Sequence, residues 1–352
     1  MSPSLDMVSV GAVAIALALF AVTIVVFAAE WSFAAGAEAV ADRAAGGVPV
    51  AAGVGSVAGV PVAAAGRPAA TALLERPGTG SVSPTGPVGA TGPVPPAVPV
   101  DRGPARARKA GAVGMNLTGL ATVVLGVGVV TRGLAGHRVP WGNLYEFSIT
   151  GSFVVVAIWL LANRRHPLRF LAIWLVGFAT TCLGAALLFF YENVGPLRPQ
   201  LRSAWLVIHV SCAIIATGAF TVGAVLTVLY LLRSRAESRG AVTGYLGRLP
   251  ASAALDRMAY RLTAFAFPIW TAAVIFGAIW AQAAYGQFWE WDPKETWSLI
   301  SWVVYAAYLH ARATAGWRGR LAATIALVAF ATVLFNLVAV NFLLAGKHSY
   351  AS

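Results

Sequence analysis

Two uninterrupted apolar runs, 205–232 and 321–344, constrain this chain more than any other feature. Each reaches the roughly 20 residues that a helix needs to cross a hydrocarbon core. Neither leaves a polar face for water. In lipid the backbone must satisfy its own hydrogen bonds, so such runs are helices rather than open strands. The composition of the whole chain agrees, with 59% of residues apolar and 11% charged, too little polarity to cover a soluble fold. The expected class is all-α: a polytopic integral membrane helical bundle of about eight transmembrane helices with a disordered low-complexity loop. The expected crossings are 8–29, 112–131, 146–162, 169–190, 205–232, 262–283, 297–311 and 321–344. The first run has the length of a signal peptide but no basic leading segment, since residues 2–7 carry only Asp6, and it reads as a retained helix.

The positions of the cations set an orientation. The formal charge is +12, yet Lys and Arg sit in short loops between apolar runs, which argues against nucleic acid as a partner. With the N-terminus outside, the inner segments 30–111, 163–168, 233–261 and 312–320, with Arg169 at an edge, hold 19 of the 25. The outer ones are Arg132, Arg138, Arg198, Arg202, Lys294 and Lys347. Setting aside 30–111, a long segment of the kind that follows the rule poorly, the short loops still divide 12 to 6. Both termini are therefore expected outside, and the chain is expected to be a multi-pass protein of the cell (plasma) membrane.

Three regions are expected: an N-terminal transmembrane helix at 1–29, a Gly/Ala/Pro-rich flexible loop at 30–111, and a transmembrane domain at 112–352. Within the loop, residues 44–66 carry no charge, but the glycines and prolines there each cost a helix about 1 and about 3 kcal/mol. A linker fits better than a span. Cys182 and Cys212 lie inside apolar runs and form no CxxC pair, so they read as small buried hydrophobes.

The segment 280–302, WAQAAYGQFWEWDPKETWSLISW, holds five of the twelve Trp residues. Indoles gather at membrane interfaces for ordinary reasons, because the ring is apolar and its N–H seeks water. Five of them, flanking Gly286 and a compact acidic segment, form a flat apolar surface suited to a large planar ligand. Asp292-Pro293-Lys294-Glu295 matches a helix start: Asp at the N-cap, Pro at the first helical position, and Glu three residues after the cap. That structural role leaves room for a ligand nearby and takes precedence over direct acid–base chemistry by the pair.

Phe288 through Trp297, FWEWDPKETW, resembles the WWD motif of haem-handling proteins in cytochrome c maturation. The DPKETW form resembles the CcsA (ResC) branch of the system II synthase more than the CcmC or CcmF branches. Two further stretches agree: Pro140-Trp141-Gly142-Asn143-Leu144-Tyr145-Glu146, and Leu197-Arg198-Pro199 through Trp205 to His209. The resemblance covers roughly 112–352. One departure is Tyr285-Gly286, where the family usually begins its motif Trp-Gly; an aromatic face survives.

Height in the membrane separates the histidines. His209 lies about 6 Å into its helix from Trp205, and His348 follows Gly346, just beyond the last crossing. Two imidazoles at one outer level, beside an aromatic surface, suit haem iron ligated from both faces. The bland alternative for each is a satisfied interfacial side chain. The resemblance assigns both to axial ligation of haem b, and Trp289, Trp291, Asp292 and Trp297 to the surrounding loop. His310 lies about 20 Å deeper than Trp297, with Ala306 and Val303 on its face. The resemblance makes it a ligand of a second, intramembrane haem completed by a partner; the alternative is that it snorkels toward Arg312. His137 and His166 read as solvated loop residues. Arg198, Arg202, Lys294 and Lys347 are the cations nearest the motifs, available to haem propionates or to interfacial anchoring.

The resemblance therefore implies haem delivery and presentation at the outer membrane face. There haem is attached covalently to the CxxCH of apocytochrome c, with a ResB-type membrane partner. In this reading the chain is the haem-handling subunit of a cytochrome c haem ligase and supplies no catalytic nucleophile of its own. Two rivals stay open: a haem exporter or chaperone without ligation activity, and a structural or transport subunit whose Trp loop only anchors the fold.

Overall fold

The computed structural model describes residues 3–46, 103–195 and 199–344. Arg198, Lys347, His348 and the bulk of the expected flexible loop, 47–102, lie outside the described residues. The long helices are α1 (Pro3–Gly46), α2 (Gly103–Gly136), α3 (Leu144–Asn163), α4 (Ala172–Phe189), α5 (Ala204–Ser238), α7 (Ser252–Tyr285), α8 (Pro293–Ala313) and α9 (Gly319–Leu334). A short α6 (Gly244–Arg248) interrupts the connection from α5 to α7. A π-helical segment, Phe335–Ala339, joins α9 to a last turn, α10 (Val340–Leu343).

Seven of these helices are long and apolar enough to cross a membrane. The expected crossing at 297–311 is present as α8 but falls outside that group. Its sequence explains why. Lys294, Glu295, Ser298, Ser301, His310 and Arg312 dilute an otherwise apolar stretch. Helices α1 and α2 also run beyond the expected loop boundaries at 30 and 111. The chain divides into two compact units, residues 1–36 with 103–352, and residues 37–102. Of the second, the described part is the helical end of α1.

Small residues let the helices of the larger unit approach closely. A methyl group on Gly114 would strike Phe27 of α1, and one on Gly223 of α5 would stand 3.3 Å from Thr263 Oγ1 of α7. Lipid offers little hydrophobic drive for helices to pair, so close van der Waals packing of this kind holds the bundle together. Phe220 of α5 stacks on Tyr305 of α8 at 3.9 Å between centroids, tying the α5–α7 pair to α8 and α9.

Polar side chains gather at the two ends. At one, Arg132 bonds Asp6, Glu146 and the Glu192 carbonyl. At the other, Arg169 pairs with Glu30, and Arg312 with Asp256. The first end places the start of α1, the end of α2, the start of α3 and the segment after α4 on one side, as alternating crossings require.

Candidate functional site

At the end marked by Arg132, caps fix where the site-bearing helices begin and stop. Asn143 caps α3, its side chain accepting from Glu146 N. Ser203 caps α5, accepting from Trp205 N. Gly286 ends α7 in the left-handed conformation, at φ 80°, which glycine adopts without a Cβ penalty. Asp292 caps α8, accepting from Lys294 N at 3.0 Å, with Pro293 at the first helical position. This is the expected helix start. Glu295, three residues after the cap, accepts from Glu290 N at 2.9 Å.

Between these helix ends lies a cavity lined mainly by apolar and aromatic side chains with a few polar groups, the lining usual for small-molecule sites. Its walls come from the starts of α3, α5 and α8, the end of α7, and the chain from Val333 to Asn341. Trp141, Trp270, Trp280 and Trp289 supply aromatic surface, and His209 lies among them. His209 Nδ1 is 2.7 Å from the Ala273 carbonyl oxygen. A carbonyl only accepts, so Nδ1 carries the proton, and in the neutral ring Nε2 is then the atom able to ligate metal. The imidazole lies nearly parallel to the Trp280 indole, 10° apart at 6.3 Å between centroids.

Polar groups are few, and most come from α8 and the chain after α9. Lys294 Nζ donates to Asn341 Oδ1 at 2.6 Å. Asn336 Nδ2 donates to Ser298 Oγ at 2.8 Å, while its buried Oδ1 has no partner among the described residues. Trp141 Nε1–H is likewise buried without one. Burial pushes the Lys294 ammonium down to about 8, with Asp292 acting in the opposite direction. An apolar chamber with an imidazole, a cation and spare hydrogen-bonding atoms fits a flat ligand that carries a metal and a carboxylate. Among the described residues no three His, Cys, Asp or Glu side chains converge.

The expected site residues separate. His209 and Trp289 line the cavity together. Trp291 stands edge-on to Trp289 at 5.9 Å, is 67% exposed, and holds φ 60°. Trp297 packs against Phe335, with centroids 4.1 Å apart. Asp292 is the cap. His310 lies in the last turn of α8, exposed, seventeen residues past Pro293 and about 25 Å along the helix. The structure does not bring it to the cavity. His137 and His166 are exposed in loops, as expected. Sequence reasoning passed over Trp270, Asn336 and Asn341. The two asparagines stand in an apolar run, and a polar residue at membrane depth is a signal of function.

Residues 141–348 match the family described as cytochrome C assembly protein. A cytochrome c biogenesis protein CcsA of Gloeobacter violaceus is 33% identical over 292 residues, covering 67% of this chain and 83% of that protein. CcsA proteins of Guillardia theta and Synechococcus elongatus are each 34% identical over 68% of this chain, covering 85% and 86% of their own lengths. Among solved structures, the cytochrome c haem lyase CcmF aligns with a TM-score of 0.49 at 16% identity, over 65% of this chain and 41% of that one.

Proposed function

The chain belongs to the cytochrome c assembly protein family, among its CcsA-type members, and on that premise we propose that it presents haem to apocytochrome c. Cytochrome c biogenesis and haem handling are what the family does. The finer reading is ours. Haem b is held at the outer face with His209 as one axial ligand and His348 as the other. His348 follows in sequence the helix end whose Asn341 lines the cavity. The observation that carries this reading is His209 in an aromatic cavity with its proton committed to the Ala273 carbonyl.

The chemistry asked of the chain is positioning. Each cysteine thiol of a CxxCH segment adds across a haem vinyl group: the sulfur bonds one vinyl carbon, the proton goes to the other, and nothing is oxidised or reduced. No protein nucleophile is needed. What the chain supplies is orientation, a dry aromatic wall, and axial imidazoles that keep the iron coordinated. His310, on the exposed side of α8, suits a second haem shared with a ResB-type membrane partner, upstream of the outer site.

The test is an absorption spectrum of the purified complex, wild type against His209→Ala, His310→Ala and His348→Ala, beside a cytochrome c reporter. Loss of the low-spin haem signal and of the covalent product in the His209 and His348 variants is the expected result. Haem binding with no covalent product in the wild type points to a carrier instead. Cytochrome c maturation untouched by both substitutions sinks the proposal.

A further inference from the structure

Gly277 stands one turn after Ala273 on α7. A methyl group built on it would lie 2.8 Å from both Nδ1 and Cε1 of His209. Real Cβ atoms do not come that close, and the obstacle is a planar ring held in place at its edge. The imidazole therefore rests on bare helix backbone. Below it the Ala273 carbonyl takes the Nδ1 proton at 2.7 Å, and one turn further on Trp280 runs parallel to the ring. Glycine is disfavoured in a helix interior, and here its lack of a side chain is what the ring's position uses.

We propose that Ala273, Gly277 and Trp280 form a seat on α7 that fixes the tautomer and rotation of His209, with Gly277 as its positioning residue. The inference rests on the reading of His209 as an iron ligand and deepens it. Ligating histidines owe their orientation and basicity to the group that holds the other ring nitrogen. Here that group is a main-chain carbonyl, which no side-chain substitution removes directly. Gly277 controls access to it. A side chain at 277 drives the ring off the helix, breaks the hydrogen bond from Nδ1–H to the Ala273 carbonyl, and leaves the tautomer unset.

The test uses the complex with its membrane partner, expressed with haem in excess. Alanine is the better helix former, so Gly277→Ala is expected to fold and to lose haem affinity by about 10–100-fold, with a weakened low-spin spectrum. Gly184→Ala, where a methyl meets nothing within 4 Å, serves as the control and keeps the wild-type spectrum. In a second arm, His209→Gly is supplied with free imidazole. Imidazole restores the low-spin signal in that variant but not in His209→Gly/Gly277→Ala, where the methyl fills the seat. In a third arm, independent of any change at 277, 15N spectra of histidine-labelled wild type place the His209 proton on Nδ1, with His209→Gln as the assignment blank.

A wild-type spectrum for Gly277→Ala, equal imidazole rescue with and without the methyl, or a proton found on Nε2 each overturns the seat. If His209→Ala itself leaves the spectrum unchanged, the ligand reading has failed. If only that variant loses the signal, the ligand reading stands and the seat falls alone.

Discussion

Lys294 is pulled two ways at the wall of the cavity. Burial pushes its ammonium down to about 8, and Asn341 Oδ1 accepts from it at 2.6 Å. The folded value lies below the ordinary lysine range near 10.5, so folding opposes the proton. The penalty is full below pH 8 and is relieved as pH rises from there toward the unfolded value. A carboxylate placed beside Lys294 reverses the preference, and such a ligand binds with uptake of a proton above that pH. If haem propionates lie there, haem affinity is level below about pH 7 and falls as pH rises through 8. Lys294→Met then weakens binding and flattens the profile; parallel profiles in a haem titration would remove Lys294 from the site. Trp291 shows a different tension, since a bulky residue at φ 60° stores about 1–3 kcal/mol of backbone strain. Trp291→Gly is expected to raise the melting temperature while lowering cytochrome c yield. A joint fall would mean that the indole holds the loop together and has no separate task.

The elements were more legible than the site they form. DPKE announced where α8 begins, and the backbone obeys it, with Asp292 capping Lys294 N and Thr296 N bonding the Asp292 carbonyl. Removing such a cap costs about 1 kcal/mol. Asp292→Ala is therefore expected to speed hydrogen exchange at the Lys294 amide about fivefold, whereas Asp292→Asn, still an acceptor, changes it little. Unchanged exchange in Asp292→Ala would assign the helix start to Pro293 and Glu295 instead. Long apolar runs announced the other helices for the same reason, because their periodicity and length are local properties. The cavity is not local. Trp270 and Gly277 of α7 and Asn336 after α9 belong to it because these segments converge with α3, α5 and α8, and nothing beside them in the chain says so. The π-helical turn at Phe335–Ala339 carries Asn336 to the wall and leaves no signature in a run of aliphatic residues. His348 was legible as a candidate from its sequence position alone and lies outside the described residues.

For the molecule as a whole, the two polar ends carry unequal weight. Arg132 is fully buried and bonds Asp6 on α1, Glu146 on α3 and the Glu192 carbonyl after α4; Glu146 is 1% exposed and also holds Arg138. Four segments of chain are thus tied through one guanidinium, directly behind the α3 cap whose Asn143 and Trp141 face the cavity. At the opposite end Arg169 is 40% exposed and its partner Glu30 20% exposed. Breaking a buried pair leaves an uncompensated charge and costs about 3–5 kcal/mol. An exposed pair is worth about 0–1 kcal/mol. Arg132→Gln is accordingly expected to lower the thermal unfolding midpoint in detergent well below that of Arg169→Gln, and to lower haem occupancy with it. Occupancy follows because Glu146, left with Arg138 as its cation, is less firmly placed to accept from Gly142 N in the turn that presents Trp141. Equal midpoints for the two variants would show that the Arg132 network is solvated in the membrane and does not brace the cavity. A large fall in midpoint with full haem occupancy would show that the network braces the bundle alone, and that α3 keeps its place at the cavity through Asn143 and its own packing.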